Sequence, residues 1–321
     1  MIRMWKLLAA LAAFCIFGTS AAQDFPSRPV HIIVPYTPGT GADILSRVLG
    51  PKLAARWKAA VVTDNRPGAT GNIGAEIAAK APPDGHMLLL TATSFVTNPA
   101  LSRSAPFDPV KDFEPVALLA TGALGVYVNP QVTAKSMREF VELVRGQPGK
   151  LYYSSPGNGG PQHLAMELLK LETGMNIVHV PYKGAGGAIS DLVGGHVQAM
   201  ISALQTVAPH VQSGRLRMLT VMSAQRSEAF PDVPTLKEQG LPDLEVETWY
   251  AMFAPARTPV AITSKINAEL NDLLKEVDVK DVLSKQGLVP AGGTPQRLGE
   301  RVARELARWG RVVTAAGIKA D

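Results

Sequence analysis

The sequence predicts an α/β protein of two lobes, with a helical C-terminal tail on the first lobe. Short apolar runs typical of strands alternate with helical patterns along most of the 321 residues, as in layered folds with largely parallel sheets. Two glycine-rich turns, at 34–43 and 154–163, each lie between such a strand and the helix that follows it. Because the two turns match each other in context, we expect each lobe to present one of them to a shared cleft.

Three strands are predicted for the first lobe, at 30–35, 61–63 and 87–91. Apolar residues at 44, 45, 48, 49, 53 and 57 fall on one face of the helix that follows the first strand. A turn at 65–71 and a helix of small residues follow the second strand. The third strand ends at Thr93 and Ser94.

A second series of elements builds the second lobe. Helices are expected at 136–146, 161–171 and 188–193, and strands at 151–153, 177–180, 197–201 and 216–222. Pro161 lies in the first turn of its helix and Gly174 just past its end, which are the positions these residue types favour. Thr235 and Glu238 have the spacing of a capping box.

The last part of the chain is predicted to be helical. Helical patterns cover 259–277, 279–286 and 295–313, with no strand predicted between them. Extended apolar segments near 120–129 and 245–254 are expected to cross between the lobes as hinge strands. The predicted first lobe is therefore discontinuous, at 23–124 and 247–321, and the second lobe covers 125–246.

The first 22 residues resemble an export signal. Arg3 and Lys6 precede an apolar run at 7–18, and Ser20-Ala21-Ala22 forms a small-residue cleavage site. The apolar run is too short to span a membrane comfortably. We therefore expect cleavage near Ala22 and a mature protein in the periplasm.

The composition excludes several classes of protein. Cys15 is the only cysteine and lies in the signal segment, so the mature chain has no disulfide, thiolate nucleophile or cysteine metal site. The net charge of +5 falls to +3 once the two signal-segment cations are removed. Basic and acidic residues are interspersed, so we do not expect a nucleic-acid partner.

The glycine-rich turns are candidate anion sites. A turn of this kind leaves backbone N–H groups unpaired and directs the positive end of a helix at whatever lies above it. A third turn at 181–187 has the same context, and there Lys183 adds a positive charge. Tyr36 and Tyr182 supply aromatic walls and hydroxyls, although both also suit a protein core.

Enzyme signatures are missing from these turns. Ser154 and Ser155 lack the flanking glycines of a nucleophile elbow, and neither glycine-rich turn ends in the Gly-Lys-Ser/Thr of a phosphate loop. His163 and Glu167 share a helix face, but no third metal ligand is evident. We therefore expect no catalytic residue, no metal and no cofactor.

Several short motifs then occur in order between residues 26 and 317. They are Val34-Pro35-Tyr36-x-Pro38-Gly39-x-x-x-Asp43, Asn65-Arg66-Pro67-Gly68-Ala69, Pro83-Asp84-Gly85, Phe107-Asp108-Pro109, Asp112-Phe113-x-Pro115-Val116, Ser155-Pro156-Gly157-Asn158-Gly159, His163-Leu164, His179-Val180-Pro181-Tyr182-Lys183-Gly184 and Pro231-Asp232-Val233-Pro234-Thr235. Together they resemble the Bug receptors, periplasmic solute-binding proteins related to those of tripartite tricarboxylate transporters. The resemblance covers essentially the whole mature chain.

The resemblance implies a type II, Venus-flytrap periplasmic-binding fold. It also implies that backbone amides and small hydroxyls of the glycine turns hold the carboxylate of the ligand, often through water. The implied ligand-binding residues, with Ser94 added at the end of the third strand, are Tyr36, Thr37, Gly39, Thr40, Gly41, Asp43, Ser94, Ser155, Gly157, Gly159, Gly160, His163, Tyr182, Lys183 and Gly184. Thr40 departs from the family, whose members usually have glycine there, and this affects the size of ligand that fits.

The function we expect is capture of a small organic carboxylate by a monomeric, non-enzymatic receptor, which delivers it to a membrane transporter. Citrate, acidic amino acids, dicarboxylates and aromatic acids all remain open as ligands. The alternative is a ligand-sensing subunit that signals to a membrane histidine kinase. Permease genes beside this gene favour uptake, and a kinase gene there favours signalling.

Overall fold

The computed structural model of the chain describes residues 25–102, 105–182 and 184–318, so the predicted signal segment lies outside it. The strands, in chain order, are β1 Val30–Val34, β2 Val61–Asn65, β3 Met87–Ala92, β4 Phe113–Val128, β5 Tyr152–Ser155, β6 Val178–Pro181, β7 Ala199–Ala203, β8 Arg217–Val221, β9 Glu247–Pro255 and β10 Val289–Pro290. The helices are α1 Gly41–Trp57, α2 Asn72–Ala79, α3 Ser94–Leu101, α4 Met137–Gly146, α5 Pro161–Thr173, α6 Ala185–Gly194, α7 Leu204–Gln212, α8 Val260–Leu273, α9 Val277–Lys285 and α10 Pro295–Ala316. Short 3-10 turns at Ala69–Gly71 and Lys237–Gln239 complete the order.

In the first lobe, β1 lies between β2 and β3 and runs parallel to both. Four of its five residues are buried, because helices cover both faces of such a sheet and a continuous apolar run is therefore required. β9 joins this sheet to β4 through antiparallel pairing with β3 and β4. The carboxyl ends of β1, β2 and β3 consequently meet at one edge of the sheet, and the segments after β2 and β3 line the cleft between the lobes.

In the second lobe, β5 lies between β6 and β7 and runs parallel to both. The last part of β4 pairs antiparallel with β7 and β8. The glycine-rich turn after β5 leads directly into α5, which begins with Pro161 and ends at Gly174, whose φ is +66°. Both positions agree with the sequence-based prediction.

The two lobes share β4, a strand of 16 residues. Its pairing with β9 runs from Phe113↔Pro255 to Ala123↔Glu247, and the pairing with β7 starts at Leu124↔Ala203. The strand therefore changes sheets between Ala123 and Leu124. We propose that the hinge between the lobes lies where β4 changes its pairing partner. The lobe boundaries at 124/125 and 246/247 stay a prediction.

The tail lies on the first lobe, and its last helix also contacts the second. α10 packs on α3, α8 and β4, and on α5 across the cleft. Glu305 of α10 is 4% exposed and accepts hydrogen bonds from Trp249 Nε1 at 2.9 Å and Arg301 Nε at 2.8 Å. Because Trp249 belongs to β9, this buried carboxylate fastens the tail to a crossing strand.

The structure differs from the sequence-based prediction in the tail and at two helices. β10 interrupts the tail and pairs with β4 at Thr121 and Ala120; a two-residue strand is too short for periodicity to reveal. Helices α3 and α7 contain Pro99 and Pro209, and an internal proline is normally a signal against helix. Within the described residues, no helix is long and apolar enough to cross a membrane.

Candidate functional site

A cleft between the lobes brings the second glycine-rich turn against α3 and the turn after β2. It holds a cavity of about 340 Å³. The lining residues come from both lobes: Ala69, Thr70, Asn72, Ser94, Thr97, Asn98, Leu101, Ser102, Asn158, Gly159, Gly160 and Pro161. All of these side chains are neutral, so the groups able to attract an anion there are backbone N–H groups and the N-terminus of α5.

Asp43 holds the first glycine-rich turn together. Its carboxylate accepts hydrogen bonds from Gly39 N–H at 2.9 Å, from Arg47 Nε at 3.0 Å and from Asn65 Nδ2 at 3.0 Å. Burial alone would raise the pKa of Asp43, but these hydrogen bonds outweigh it and lower the pKa below its ordinary value. Gly39 has φ +86°, which favours glycine. Asp43 therefore stays ionised and shapes the turn.

Thr40, the departure from the family pattern, is accommodated without strain. It is the residue before α1 and has φ −74°, so glycine is not required there. Its hydroxyl donates to the carbonyl of Thr37 at 3.0 Å. The extra hydroxyl is thus used to tighten the turn, while Thr37 itself is exposed.

Tyr36 and Ser94 meet beneath the first turn. The Tyr36 hydroxyl lies 2.6 Å from Ser94 Oγ and 3.0 Å from Thr91 Oγ1, and it accepts a hydrogen bond from Ala92 N–H at 3.1 Å. Burial raises the pKa of Tyr36. The phenol is therefore neutral and positions Ser94 at the start of α3, on the wall of the cavity.

Tyr250 of β9 packs against the end of the first glycine-rich turn, and the sequence does not identify it. A Cβ placed on Gly41 would lie 2.5 Å from its hydroxyl oxygen, so only glycine fits at the start of α1. Burial raises the pKa of Tyr250, and proximity to Tyr36 adds to this. No local motif marks Tyr250, because antiparallel pairing of β9 with β3 brings it to the turn.

Ser155 and Gly157 shape the second glycine-rich turn from below. Ser155 is fully buried, and its hydroxyl donates to the carbonyl of Gly157 at 2.8 Å. The same oxygen lies 2.7 Å from Nε2 of His179. Since the single hydroxyl proton is directed at Gly157, the serine stabilises the shape of the turn.

His163 lies under the same turn. Its ring is 4% exposed, and Nδ1 accepts the N–H of Gly159 at 2.9 Å. Gly160 precedes α5, and Pro161 occupies the first helical position, where its missing N–H is not needed. The free helical N–H groups at this end are therefore those that follow Pro161.

Gly159 also makes a contact between the lobes. It has φ +68°, and a Cβ placed there would lie 2.7 Å from Cδ1 of Leu101 in α3. Glycine is needed both for the backbone conformation and for the close approach of Leu101.

The third turn supports the second. Gly184 N–H donates to the carbonyl of Pro156 at 2.8 Å, and Tyr182 N–H donates to the carbonyl of Ser155 at 3.0 Å. The hydroxyl of Tyr182 donates to Asp191 at 2.5 Å, and burial, with this carboxylate, raises the pKa of Tyr182 to about 12. Lys183 lies outside the described residues.

The turn after β2 completes the cavity wall. Ala69 and Thr70 have φ +45° and +54° between two glycines of positive φ. Asn98 Nδ2 holds this turn through the carbonyl of Thr70 at 2.9 Å and Oδ1 of Asn72 at 3.0 Å. Ser94, Asn98 and Leu101 are spaced so that they share one face of a helix. This spacing is the feature of the sequence that could have identified this side of the cavity.

Other cavities are larger but contain neither glycine-rich turn. One of about 660 Å³ lies between the 105–112 loop and α10, and one of about 560 Å³ lies between the 223–230 loop and the 284–289 segment. Within the described part of the chain, no cluster of three or more His, Cys, Asp or Glu side chains could hold a metal. We therefore take the cavity at the second glycine-rich turn as the candidate site. Of the predicted site residues it is lined by Ser94, Gly159 and Gly160, whereas the first glycine-rich turn does not line it.

Comparisons with known proteins identify the family. Residues 45–318 match the profile of the tripartite tricarboxylate transporter family receptors. The chain is 35% identical to Protein BugT of Bordetella pertussis over 324 residues, covering 99% of each chain.

Two solved structures with bound carboxylates are similar to this one. R. palustris Rpa4515 with adipate has 33% identity and a TM-score of 0.75, covering 92% of this chain and 99% of that one. MatC from Rhodopseudomonas palustris with bound malate has 30% identity and a TM-score of 0.72, covering 90% and 100%. The predicted Bug-type resemblance and two-lobed fold are thus confirmed, and the chain belongs to the family of tripartite tricarboxylate transporter receptors.

Proposed function

We propose that this protein binds a small organic carboxylate in the cavity between the second glycine-rich turn and α3, and delivers it to a tripartite transporter in the membrane. Its family is one of periplasmic solute receptors. The adipate in Rpa4515 and the malate in MatC support a carboxylate ligand. Removal of the signal segment near Ala22 belongs to the same proposal.

One observation carries the proposal: the N-terminus of α5 faces a neutral, polar wall from the other lobe across a cavity of about 340 Å³. A helix N-terminus attracts an anion, and a volume of this order suits a small molecule. Hydroxyls and amides of Thr70, Thr97 and Asn98 surround the remainder of the cavity. This lining favours an acid with further polar groups or a short chain.

We divide the predicted site residues by their contacts. Asp43, Ser155, His163 and Tyr182 act by shaping the turns, since their polar atoms bond within the protein. In this proposal the amides at the start of α5 and the hydroxyl of Ser94, which lie at the cavity, face the ligand. Each well-made hydrogen bond to the carboxylate contributes roughly 1.5–3 kcal/mol, so three contribute about 4.5–9 kcal/mol, compared with about 8.2 kcal/mol for micromolar binding.

Native mass spectrometry and thermal shift test the ligand class. Protein purified from periplasm without denaturation should release a carboxylic acid, and a panel of malate, adipate, citrate, glutamate and benzoate should contain acids that raise Tm. An acid at about 100 times its Kd stabilises the fold by about 2.7 kcal/mol. The matched neutral amide of each active acid is the control. Equal shifts from acid and amide contradict carboxylate recognition.

Uptake measurements test delivery. Deletion of the gene should lower uptake of the acid identified in the screen, and the full-length gene should restore it. Unchanged uptake with loss of a transcriptional response to the acid would instead identify the sensing function.

A further inference from the structure

Two imidazole rings stack beneath the second glycine-rich turn. The ring of His163 from α5 and the ring of His179 from β6 have centroids 3.7 Å apart and planes 16° apart. Tyr153 stacks on His179 at 4.9 Å. His179 opens the motif that leads into the third glycine turn, but it is not among the predicted ligand-binding residues.

Each ring fixes one backbone group of the turn. Nδ1 of His163 accepts the N–H of Gly159 at 2.9 Å, so this nitrogen carries no proton and a neutral ring carries its proton on Nε2. A doubly protonated ring would direct an N–H at the N–H of Gly159. The hydrogen bond therefore exists only while His163 is neutral.

The second ring acts through Ser155. The serine oxygen lies 2.8 Å from the Gly157 carbonyl and 2.7 Å from Nε2 of His179. A carbonyl only accepts, so the single hydroxyl proton satisfies both contacts when it is directed at Gly157 and His179 donates from Nε2. In this arrangement both imidazoles carry their proton on Nε2.

We infer that His163 and His179 are positioning residues which, as a stacked pair of neutral imidazoles, hold the second glycine-rich turn in its binding shape, and that protonation of His163 on Nδ1 releases the turn. Its importance for ligand binding rests on the proposed function. Because N–H and C=O of a trans peptide point in opposite directions, fixing Gly159 N–H and Gly157 C=O decides which amides of the turn face outward.

The carboxylate of Glu167 lies beside the ring of His163. Oε1 of Glu167 lies 3.8 Å from Nε2 of His163. The same carboxylate accepts hydrogen bonds from the Tyr153 hydroxyl at 2.6 Å and from Lys170 Nζ at 2.7 Å, so its negative charge is partly balanced by Lys170. Burial lowers the pKa of His179 to about 4, and His163, when it is protonated, contributes to this lowering.

The other packed elements bring no free charge to the rings. β7 has no titratable residue and neither does α3. Asp191 of α6 accepts the hydroxyl of Tyr182, and Glu305 of α10 accepts from Trp249 and Arg301.

The direction in which pH changes the stability follows from the lowered pKa of His179. Unfolded His179 takes up a proton near its ordinary pKa of 6.5, whereas the folded ring does so only near 4. Its stabilising effect is therefore complete above pH 6.5 and is lost as the pH falls from 6.5 to about 4.

Nuclear magnetic resonance of the ligand-free protein tests the inference, so its failure is distinguishable from failure of the proposed function. Long-range ¹H–¹⁵N spectra of the rings should show both histidines as neutral Nε2–H tautomers at pH 7. A proton on Nδ1 of His163, or a cationic ring at pH 7, overturns the inference without any variant.

Hydrogen exchange of the Gly159 amide gives the second readout. His163→Leu should lower its protection factor about tenfold, the cost of one lost hydrogen bond, while His163→Asn keeps an acceptor and should preserve it. His179→Leu should also lower protection, and His179→Gln, which keeps a donor near the position of Nε2, should restore it. His31→Asn on β1 is the control.

The pH profile separates positioning from a general loss of stability. Between pH 7 and pH 3.5, protection at Gly159 should fall in the wild type relative to the amide of Gly125 in β4, and remain level in the double variant of His163→Asn and His179→Gln. Parallel loss at Gly159 and Gly125, or an equal pH profile in wild type and double variant, contradicts the inference.

Discussion

Gly159→Ala perturbs a glycine at which both backbone conformation and close packing between the lobes require the absence of a side chain. A non-glycine residue at φ +68° costs about 1 kcal/mol. The added Cβ would also lie 2.7 Å from Cδ1 and 3.0 Å from Cδ2 of Leu101, and driving Leu101 off its rotamer costs about 1 kcal/mol more. We expect Gly159→Ala to lower the free energy of unfolding by about 2 kcal/mol.

A double-mutant cycle with Leu101→Ala isolates the contact. Leu101 is half-buried, so its truncation alone should cost about 1 kcal/mol. The double variant loses that burial and keeps the backbone strain, but it is free of the clash. Its total loss should therefore be about 2 kcal/mol, with a coupling of about 1 kcal/mol between the two sites.

Guanidinium unfolding of the four proteins at pH 7 measures the coupling, provided that the m-value is unchanged. Gly157→Ala is the matched control, because a Cβ there meets nothing nearer than 3.8 Å. It should change the free energy of unfolding by less than about 0.5 kcal/mol. Additive losses in the cycle would refute the reasoning, since they would mean that Gly159 and Leu101 are not in contact across the cleft.

Three further predictions concern stability. Glu305→Ala should lower the free energy of unfolding by about 3 kcal/mol, because it leaves the indole of Trp249 without its buried acceptor and removes one of the two carboxylates that Arg301 contacts, the other being Glu247 at 3.3 Å. Glu305→Gln keeps an acceptor, and an equal loss for both variants in urea unfolding would contradict this. Thr70→Gly should raise the unfolding free energy by about 1 kcal/mol by relieving a φ of +54°, and no rise in Tm would count against strain there. Asp43→Asn should lower Tm at neutral pH. This difference in Tm from the wild type should shrink as the pH falls below 3.8, because the wild-type carboxylate, whose pKa is lowered by folding, then becomes protonated. A difference in Tm that does not change with pH would contradict a role for the charge of Asp43.

Sequence reasoning identified the fold through local patterns. The apolar runs of β1 and β3 and the glycine-rich turns are visible in the chain because their burial and φ angles are demanded locally. Tyr250 and Leu101 were missed because pairing of β9 and packing of α3 bring them to the turns from elsewhere in the chain.

The roles of the predicted residues were harder to predict than their positions. Ser155, His163 and Asp43 lie at the turns, as predicted, but their polar atoms bond to backbone groups of the turns. Sequence gives the residue types in a turn, whereas the direction of each donor depends on tertiary packing. Whether each residue contacts ligand stays a prediction.

A crystal structure of the protein with the acid that raises Tm most tests the central claim most directly. We predict that the carboxylate lies at the N-terminus of α5, with an oxygen about 2.7–3.1 Å from a backbone nitrogen of that helix or of the turn before it, and that the rest of the acid contacts α3. A carboxylate bound instead between the 223–230 loop and the 284–289 segment, with the glycine-rich turns empty, would contradict the account.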